Sequence, residues 1–302
     1  MRFRAVLNKD GGTLRSMDMD DFSRRAEELF AGEGHVLECR VIEGGDVEAA
    51  LAEAAQDEGV DVMLAGGGDG TISAAAAAAY RSGKPLAILP AGTMNLFARA
   101  LEMPMGLEEA LLAIARGSIE RIDIATANGQ PFVHQFGVGI HARLVRLRNA
   151  MSYRDRLGKI LANLRAIVAA AIDPPHFEVE FTDADGTRTQ TVSGIAVSNN
   201  PLGNGPIPVA GRLDSGLLGV YVAGRTTSRE LLTLAIDVVT GHWRENELVS
   251  AAEVPELVLR FPERKRGNHA VVDGELIALE SSVTLKIHPQ ALAIVRPGGP
   301  AA

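Results

Sequence analysis

Short apolar runs alternate with helical segments along the first part of the chain. Apolar runs of strand length occupy residues 3–7, 36–42, 60–65 and 85–90. The segments between and after them have apolar residues at helical spacing or are rich in alanine, and lie at 20–31, 47–56, 72 onward, 95–101 and 106–116. Asp46 is predicted to cap the second helix. Strands that alternate with helices predict an α/β domain with a parallel sheet.

The pattern changes from about residue 119, where strand-like segments dominate. They lie at 119–126, 132–138, 177–181, 189–198, 217–223, 254–261, 269–272, 282–288 and 291–295, and two helices are predicted at 153–171 and 228–240. This pattern predicts a mainly antiparallel β-sandwich. The predicted domains are residues 1–123 and 124–302, with the extreme C-terminus packing back on the first domain.

Residues 60–79 combine a buried strand, a glycine turn (GGGDGT) and an alanine-rich helix. A helix start after such a turn is an anion site, because free N–H groups point outward and glycine lets a phosphate approach the backbone. A carboxylate there would repel a bare phosphate, so Asp69 is expected beside a metal ion or a proton-carrying group.

Three polar turns follow predicted parallel strands, at Asn8, Gly67 and Thr93. Ligands of such sheets bind beyond the carboxyl ends of the strands. We therefore expect the three turns to converge on one phosphate site.

Composition limits the partners and the cellular location that we expect for this protein. The net charge of −8 argues against nucleic acid as a partner. Cys39 is the only cysteine, which fits a reducing cytoplasm. The N-terminal residues lack the apolar core of a signal peptide, and no apolar run reaches the length of a membrane span. We therefore expect a cytoplasmic protein.

Four further motifs accompany GGDGT in the order of one kinase family: PAGTMNLFARAL, FVHQFGVGIHARLV with RLGKILANLRAI, the asparagine- and glycine-bearing stretch at 195–222, and VVDGELI. Together they resemble the diacylglycerol kinase catalytic-domain family, which includes sphingosine and ceramide kinases. The resemblance implies an N-terminal domain like those of phosphofructokinase and NAD kinase, followed by a β-sandwich. It also implies transfer of the γ-phosphoryl group of ATP to a lipid hydroxyl such as that of diacylglycerol.

The residues expected to serve this reaction fall into two groups. ATP with its Mg²⁺ would be held by the polar turns, at Asn8, Gly12, Gly67, Gly68, Asp69, Gly70, Thr71, Thr93 and Asn95. Asp69 would act on the phosphate or magnesium side. The resemblance implies that an acid of the DGE motif is the general base, and spacing alone does not choose between Asp273 and Glu275.

Two positions depart from the family pattern. Leu96 stands where the family has the aspartate of NDF, and Ser215 stands where it has the second acid of DDG. In bacterial members these acids belong to a magnesium-and-water network linked to the GGDGT aspartate. We therefore expect no structural Mg²⁺ at Ser215, and lower or altered activity stays open.

Two other functions stay open: a GGDGT kinase of a soluble, NAD-like substrate, and a nucleotide- or lipid-binding protein with weakened catalysis. Ordinary structural roles also compete. Asp273-Gly274 is a common hairpin turn, and Asp214 is expected to cap a turn. Structural roles are expected for His134, His141 and His269, and Cys39 is expected in the core.

Residues 143–165 are basic within an acidic protein, with Arg143, Arg146, Arg148, Arg154, Arg156, Lys159 and Arg165 against Asp155 alone. One interpretation is a solvated helix face. The other is a patch that docks on anionic lipid at the inner membrane face, next to the lipid substrate. The sequence leaves homodimer formation open.

Overall fold

The computed structural model describes residues 1–149, 174–203, 207–241, 243, 246–264 and 267–298. The chain forms two compact units, which are Met1–Ile124 with His288–Ala302, and Ala125–Ile287. The C-terminal segment therefore belongs to the first unit by its contacts.

The strands of the described residues, numbered along the chain, are β1 (Arg2–Asn8), β2 (Val36–Ile42), β3 (Val62–Gly67), β4 (Leu86–Pro90), β5 (Ser118–Ala127), β6 (Gln130–Phe132), β7 (Gln135–Gly139), β8 (Phe177–Asp183), β9 (Gly186–Asn199), β10 (Leu218–Gly224), β11 (Val249–Val254), β12 (Glu256–Arg260), β13 (His269–Val272), β14 (Glu275–Ala278) and β15 (Ser282–Arg296). The α-helices are α1 (Met19–Gly32), α2 (Val47–Gln56), α3 (Asp69–Ser82), α4 (Leu96–Ala100), α5 (Leu107–Ala115), α6 (Ile140–Asn149) and α7 (Ser228–Thr240).

A parallel sheet of order β2–β1–β3–β4 forms the centre of the first unit, and the C-terminal half of β15 extends it beside β4. Strand β3 is buried along its whole length. Helix α1 packs on α5, and α2 packs on α3. The carboxyl ends of β1, β3 and β4 lie at the same edge because the strands are parallel, and this edge carries all three polar turns.

The central turn is shorter than the sequence predicts. The predicted strand ends at residue 65 and the predicted helix starts at residue 72, whereas β3 continues through Gly67 and α3 begins at Asp69. Gly68 alone links the two, as the N-cap of α3. Gly66 and Gly67, which the sequence places in the turn, are therefore strand residues, and a Cβ at Gly66 would lie 2.6 Å from the side chain of Leu7.

Two other local predictions for the first unit need correction. Asp46 makes no side-chain capping bond to α2, because residues 44–46 already form a short 3-10 turn and Asp46 has helical backbone angles. Cys39 is only half-buried, because β2 is the outermost strand of the parallel sheet. Partial burial still raises the pKa of its thiol to about 12, which keeps it protonated at neutral pH.

The second unit is an antiparallel β-sandwich. Its strands follow the order β14–β13–β7–β9–β8–β12–β15, and β10 pairs with both β9 and β11. Buried aromatic and aliphatic residues fill it, among them Phe132, Phe136, Phe181, Leu259 and Leu285. The first half of β15 belongs to this unit, where it pairs with β12.

Some predicted strands of this unit have other boundaries. The segment predicted at 132–138 is divided into β6 and β7, and Val133 and His134 form the loop between them. The segments predicted at 282–288 and 291–295 form one strand, β15. Helix α6 was not predicted, and the helix predicted at 153–171 lies outside the described residues. Helix α7 has the predicted bounds. No described helix combines the length and apolar character that crossing a bilayer requires.

Candidate active site

The first two polar turns of the first unit are joined by side chains. Asn8, at the end of β1, donates from Nδ2 to Oγ1 of Thr71 at 3.0 Å. Thr71 is in the first turn of α3, and its side chain packs so closely over Gly67 that a Cβ at position 67 would lie 2.6 Å from it. The predicted site residues Asn8, Gly67 and Thr71 are therefore neighbours, and glycine at position 67 is required by packing.

Gly12 joins the first turn to the third. It has φ +47°, and a Cβ there would lie 1.9 Å from the carbonyl oxygen of Ala91. The next residue, Thr13, donates its backbone N–H to the same oxygen at 2.8 Å. Only glycine fits position 12, because both the left-handed conformation and the contact exclude a side chain.

Gly68 differs from these glycines, because neither conformation nor packing requires it. Its backbone is extended (φ −85°, ψ −177°), and within the described residues a Cβ there would meet only the Cα of Gly92 at 3.6 Å, an ordinary contact. Gly68 precedes the first-turn N–H groups of α3, which have no acceptor within the helix. Because no side chain at Gly68 covers these N–H groups, a phosphate group can approach them and accept their hydrogen bonds.

Asp69 holds the third turn in place. Its Oδ1 accepts the backbone N–H of Leu96 at 2.7 Å, and its Oδ2 accepts that of Asn95 at 3.1 Å. Both oxygens thus bind the start of α4. The expectation of a metal ion or a proton-carrying group beside Asp69 stays a prediction, and these contacts add a second role, because the carboxylate holds the loop after β4.

Asn95 closes the third turn on itself. It lies in the left-handed region at φ +50°, its Oδ1 accepts the N–H of Gly92 at 2.8 Å, and its Nδ2 donates to the carbonyl of Gly92 at 3.1 Å. Thr93, on the same turn, is exposed. Gly92 was missing from the predicted site, although a Cβ there would lie 2.7 Å from the Cα of Gly68. The PAGT motif could have indicated Gly92, because it places this glycine directly before Thr93.

The two candidate bases occupy different environments in the second unit. Asp273 sits in the turn of the β13–β14 hairpin with φ +48°. Its Oδ2 accepts the N–H of Val133 at 2.9 Å, and its Oδ1 accepts those of His134 and Gln135 at 2.9 and 3.0 Å. Its own N–H donates to the carbonyl of Gln135 at 2.9 Å. Asp273 therefore fastens the hairpin to the β6–β7 loop, a role the sequence did not reveal.

Glu275 begins β14 on the other side of the same turn and is exposed. Its carboxylate faces solvent, whereas that of Asp273 receives three backbone donors. A carboxylate offers about four acceptor positions in all. Glu275 is consequently better placed to accept a proton from a bound molecule.

Ser215 belongs to a hydrogen-bonded turn. Its Oγ accepts Nδ2 of Asn200 at 2.8 Å and lies 3.2 Å from both the N–H and the carbonyl oxygen of Leu217. The neighbouring Asp214 pairs with Arg212 at 3.0 Å. The hydroxyl thus makes direct contacts where the family pattern has an acid. Within the described residues, no cluster of three or more His, Cys, Asp or Glu could hold a metal ion.

We predict that Ser215→Ala lowers the free energy of unfolding by about 1–3 kcal/mol, because the buried amide of Asn200 loses an acceptor. Urea titration would measure this change, with Ser282→Ala, an exposed serine of the same unit, as the control. A chelator should leave the wild-type urea midpoint unchanged. A midpoint that falls on chelation would contradict the expected lack of a structural metal.

A cavity of about 330 Å³ lies within the second unit. Its lining includes the apolar residues Val138, Phe177, Phe261 and Leu279 and the basic residues Arg143, Arg146 and Arg264. Neither Asp273 nor Glu275 lines it, since it adjoins His269 at the open end of their hairpin. Of the basic residues in the stretch at 143–165, Arg143 and Arg146 have described side chains, and residues 150–165 lie outside the described residues.

His141, one of the histidines predicted to be structural, contacts neighbouring residues of the second unit. His141 lies over Gly137, and its ring nitrogens are 3.2 Å from Nε2 of Gln135. Gln135 is also one of the three residues that donate to Asp273. His141 thus supports the loop that Asp273 holds.

Comparison with known proteins gives the context for the candidate residues of each unit. The family model described as the diacylglycerol kinase catalytic domain matches residues 2–127, and that described as the YegS C-terminal NAD kinase beta sandwich-like domain matches residues 135–296. The chain belongs to the YegS-like lipid kinase family. A probable lipid kinase YegS-like from Serratia proteamaculans is 30% identical over 83% of this chain and 82% of its own length.

Two further comparisons place this YegS-like chain among known proteins. The uncharacterized protein sll0036 of Synechocystis sp. is 31% identical over 81% of this chain, which spans 57% of that protein. The crystal structure of a diacylglycerol kinase from Bacillus anthracis superposes with a TM-score of 0.70 at 18% identity, covering 98% of this chain and 96% of the other. At this identity, the structural likeness supports the fold: a parallel α/β domain and an antiparallel sandwich, as the sequence predicted.

Proposed function

We propose that this protein is an ATP-dependent kinase that transfers the γ-phosphoryl group to the hydroxyl of a diacylglycerol-like lipid. The observation that carries the proposal is the set of three polar turns packed at the carboxyl ends of β1, β3 and β4. Gly68 lies among these turns, and packing does not explain why this residue is a glycine. Its missing side chain leaves the backbone open to a ligand.

In this proposal the first unit holds the nucleotide. Asn8, Gly67, Gly68, Gly70 and Thr71 surround the start of α3, and Gly12, Thr93 and Asn95 belong to the adjoining turns. The N–H groups of the first turn of α3 would bind phosphate oxygens. Asp69 would keep the third turn in register rather than touch the phosphates.

Magnesium would arrive with ATP and neutralise charge on the phosphates. The carboxylates near the turns are consistent with magnesium that is carried by ATP, because they already accept hydrogen bonds from the protein backbone. Asp69 accepts two backbone N–H groups, and Oδ2 of Asp10 accepts the N–H of Gly44 at 2.8 Å.

In the second unit, Glu275 would accept the proton of the lipid hydroxyl as it attacks the γ-phosphorus. A general base must come within about 3 Å of the donor oxygen, and an exposed side chain at a hairpin turn can do so. Asp273 would position this turn through the β6–β7 loop. The cavity beside His269 has room for part of a lipid, and its walls carry apolar residues, three arginines and the acids Glu178 and Glu263.

A lipid acceptor would bring the protein to the inner membrane face from the cytoplasm. A soluble, NAD-like acceptor is the second candidate, since the sandwich matches a domain described as NAD kinase-like.

The proposal is tested with a panel of acceptors supplied with γ-labelled ATP and Mg²⁺. We expect the initial rate with diacylglycerol in mixed micelles to exceed the rates with NAD and with water. Labelled NADP as the main product would replace the proposal with the soluble-acceptor function. ATP binding without transfer to any acceptor would indicate a binding protein.

A further inference from the structure

Helix α7 of the second unit exposes two large apolar side chains one turn apart. Leu232 is 41% exposed and Ile236 is 63% exposed, the highest value among the large hydrophobic residues described. Their spacing of four residues places them side by side on the helix surface. The other exposed large hydrophobics of the described chain lie outside α7, such as Val36 and Val41 on β2 and Met94 in the loop after β4.

The opposite face of α7 is already packed. Leu231 is buried, and Leu234 packs on a cluster formed by Leu202, Tyr221 and Trp243. These contacts anchor the helix on the sandwich. The exposed pair is thus presented by a fixed element rather than by a loose one.

The polar residues on the exposed face make their hydrogen bonds within the helix. Thr233 donates from Oγ1 to the carbonyl of Arg229 at 3.2 Å, and Thr240 donates to that of Ile236 at 3.0 Å. A hydroxyl that is already bonded to its own helix loses little when water is removed. The face can therefore enter an apolar phase without leaving unsatisfied donors.

Positive and negative side chains lie at different places around this face. Arg225 and Arg229 are exposed at the N-terminal end, and Arg229 shares the face with Leu232 and Ile236 by helical spacing. The acids of α7 lie to one side and are engaged. Glu230 accepts from Thr227 at 2.7 and 2.8 Å, and Asp237 accepts Nδ2 of Asn246 at 2.6 Å.

We propose that α7 docks the protein on an anionic lipid bilayer, with Leu232 and Ile236 among the acyl chains and Arg225 and Arg229 among the headgroup phosphates. Amphipathic helices with this division of residues lie in the membrane interface. A second copy of the chain fits the face less well, because stable protein interfaces bury about 1,200–2,000 Å² and one helical turn supplies far less. The inference rests on the proposed lipid-kinase function and adds the surface that reaches the substrate.

Vesicle sedimentation tests the docking surface without using turnover. With vesicles of phosphatidylcholine and phosphatidylglycerol, the L232S/I236S variant should show a partition coefficient lower by about tenfold or more, from the lost apolar burial. The R225Q/R229Q variant should lose binding mainly to anionic vesicles at low salt. The V36S/V41S variant, which removes exposed apolar residues of β2, is the matched control and should bind like the wild type. Unchanged partition of L232S/I236S would overturn the proposal.

Activity on two forms of the acceptor separates this inference from the proposed function. L232S/I236S should phosphorylate a dispersed short-chain diacylglycerol at the wild-type rate and lose turnover on vesicles. If no acceptor is phosphorylated but the partition results hold, the docking surface stands and the kinase proposal fails. If light scattering shows a wild-type dimer that L232S/I236S disperses, the face is a protein interface and the proposal is overturned.

Discussion

Replacing Glu275 with glutamine is expected to lower kcat about 10²- to 10⁴-fold, the usual contribution of a general base. The free energy of unfolding should change by no more than about 0.5 kcal/mol, because the side chain is exposed at the start of β14. Initial rates with γ-labelled ATP and micellar diacylglycerol would measure the first quantity, and urea titration the second.

Asp273→Ala is the matched comparison, two residues away in the same turn. It removes the acceptor of three backbone N–H groups, those of Val133, His134 and Gln135. An unsatisfied buried donor costs about 1–3 kcal/mol. Because these three donors are partly buried, we expect the free energy of unfolding to fall by about 2–4 kcal/mol. If Asp273→Ala kept full stability but lost activity, while Glu275→Gln kept full activity, the two roles would have been assigned the wrong way round.

The second large effect is expected at Asp69. Asp69→Asn replaces one carboxylate oxygen with an amide donor, which then faces the N–H of Asn95 or Leu96 instead of accepting it. The start of α4 should loosen, and the affinity for ATP should fall about tenfold or more, in line with the loss of a charge-assisted hydrogen bond. Isothermal calorimetry would measure this affinity.

The magnesium dependence decides what Asp69 does. If it positions the loop, affinities for ATP with Mg²⁺ and for ATP with a chelator should fall by the same factor. If it binds the metal, the loss should be confined to the magnesium complex. Asp10→Asn is the control, because Asp10 is another acid of these turns and its Oδ2 accepts the N–H of Gly44 at 2.8 Å.

Much of the fold follows from the hydrophobic pattern. Strands β1, β3 and β4 are apolar runs, and the order of strands and helices in the first unit requires a parallel sheet. Strand limits were harder to predict where glycine is involved. Gly66 and Gly67 continue β3, and they are glycines because Leu7 and Thr71 occupy the space that a side chain would take. No local pattern distinguishes glycines required by packing from glycines of a turn.

The candidate site was predictable in its parts and not in its roles. The polar turns stand out in the sequence, and their convergence follows from strand direction. The partners of Asp69 and Asp273 do not, because Leu96 and Val133 donate from the backbone and lie 27 and 140 residues away. A backbone donor has no signature in the sequence, so a carboxylate that binds one resembles a catalytic acid.

The measurement that tests the central claim most directly is the transfer of radiolabel from γ-labelled ATP into extracted lipid. Wild-type protein, Mg²⁺ and micellar diacylglycerol would be incubated beside Glu275→Gln, and the organic phase would be counted. The proposed function predicts label in the lipid with the wild type and a loss of about 10²-fold or more with Glu275→Gln. Label that never enters the lipid, or enters it equally with both proteins, would contradict the account.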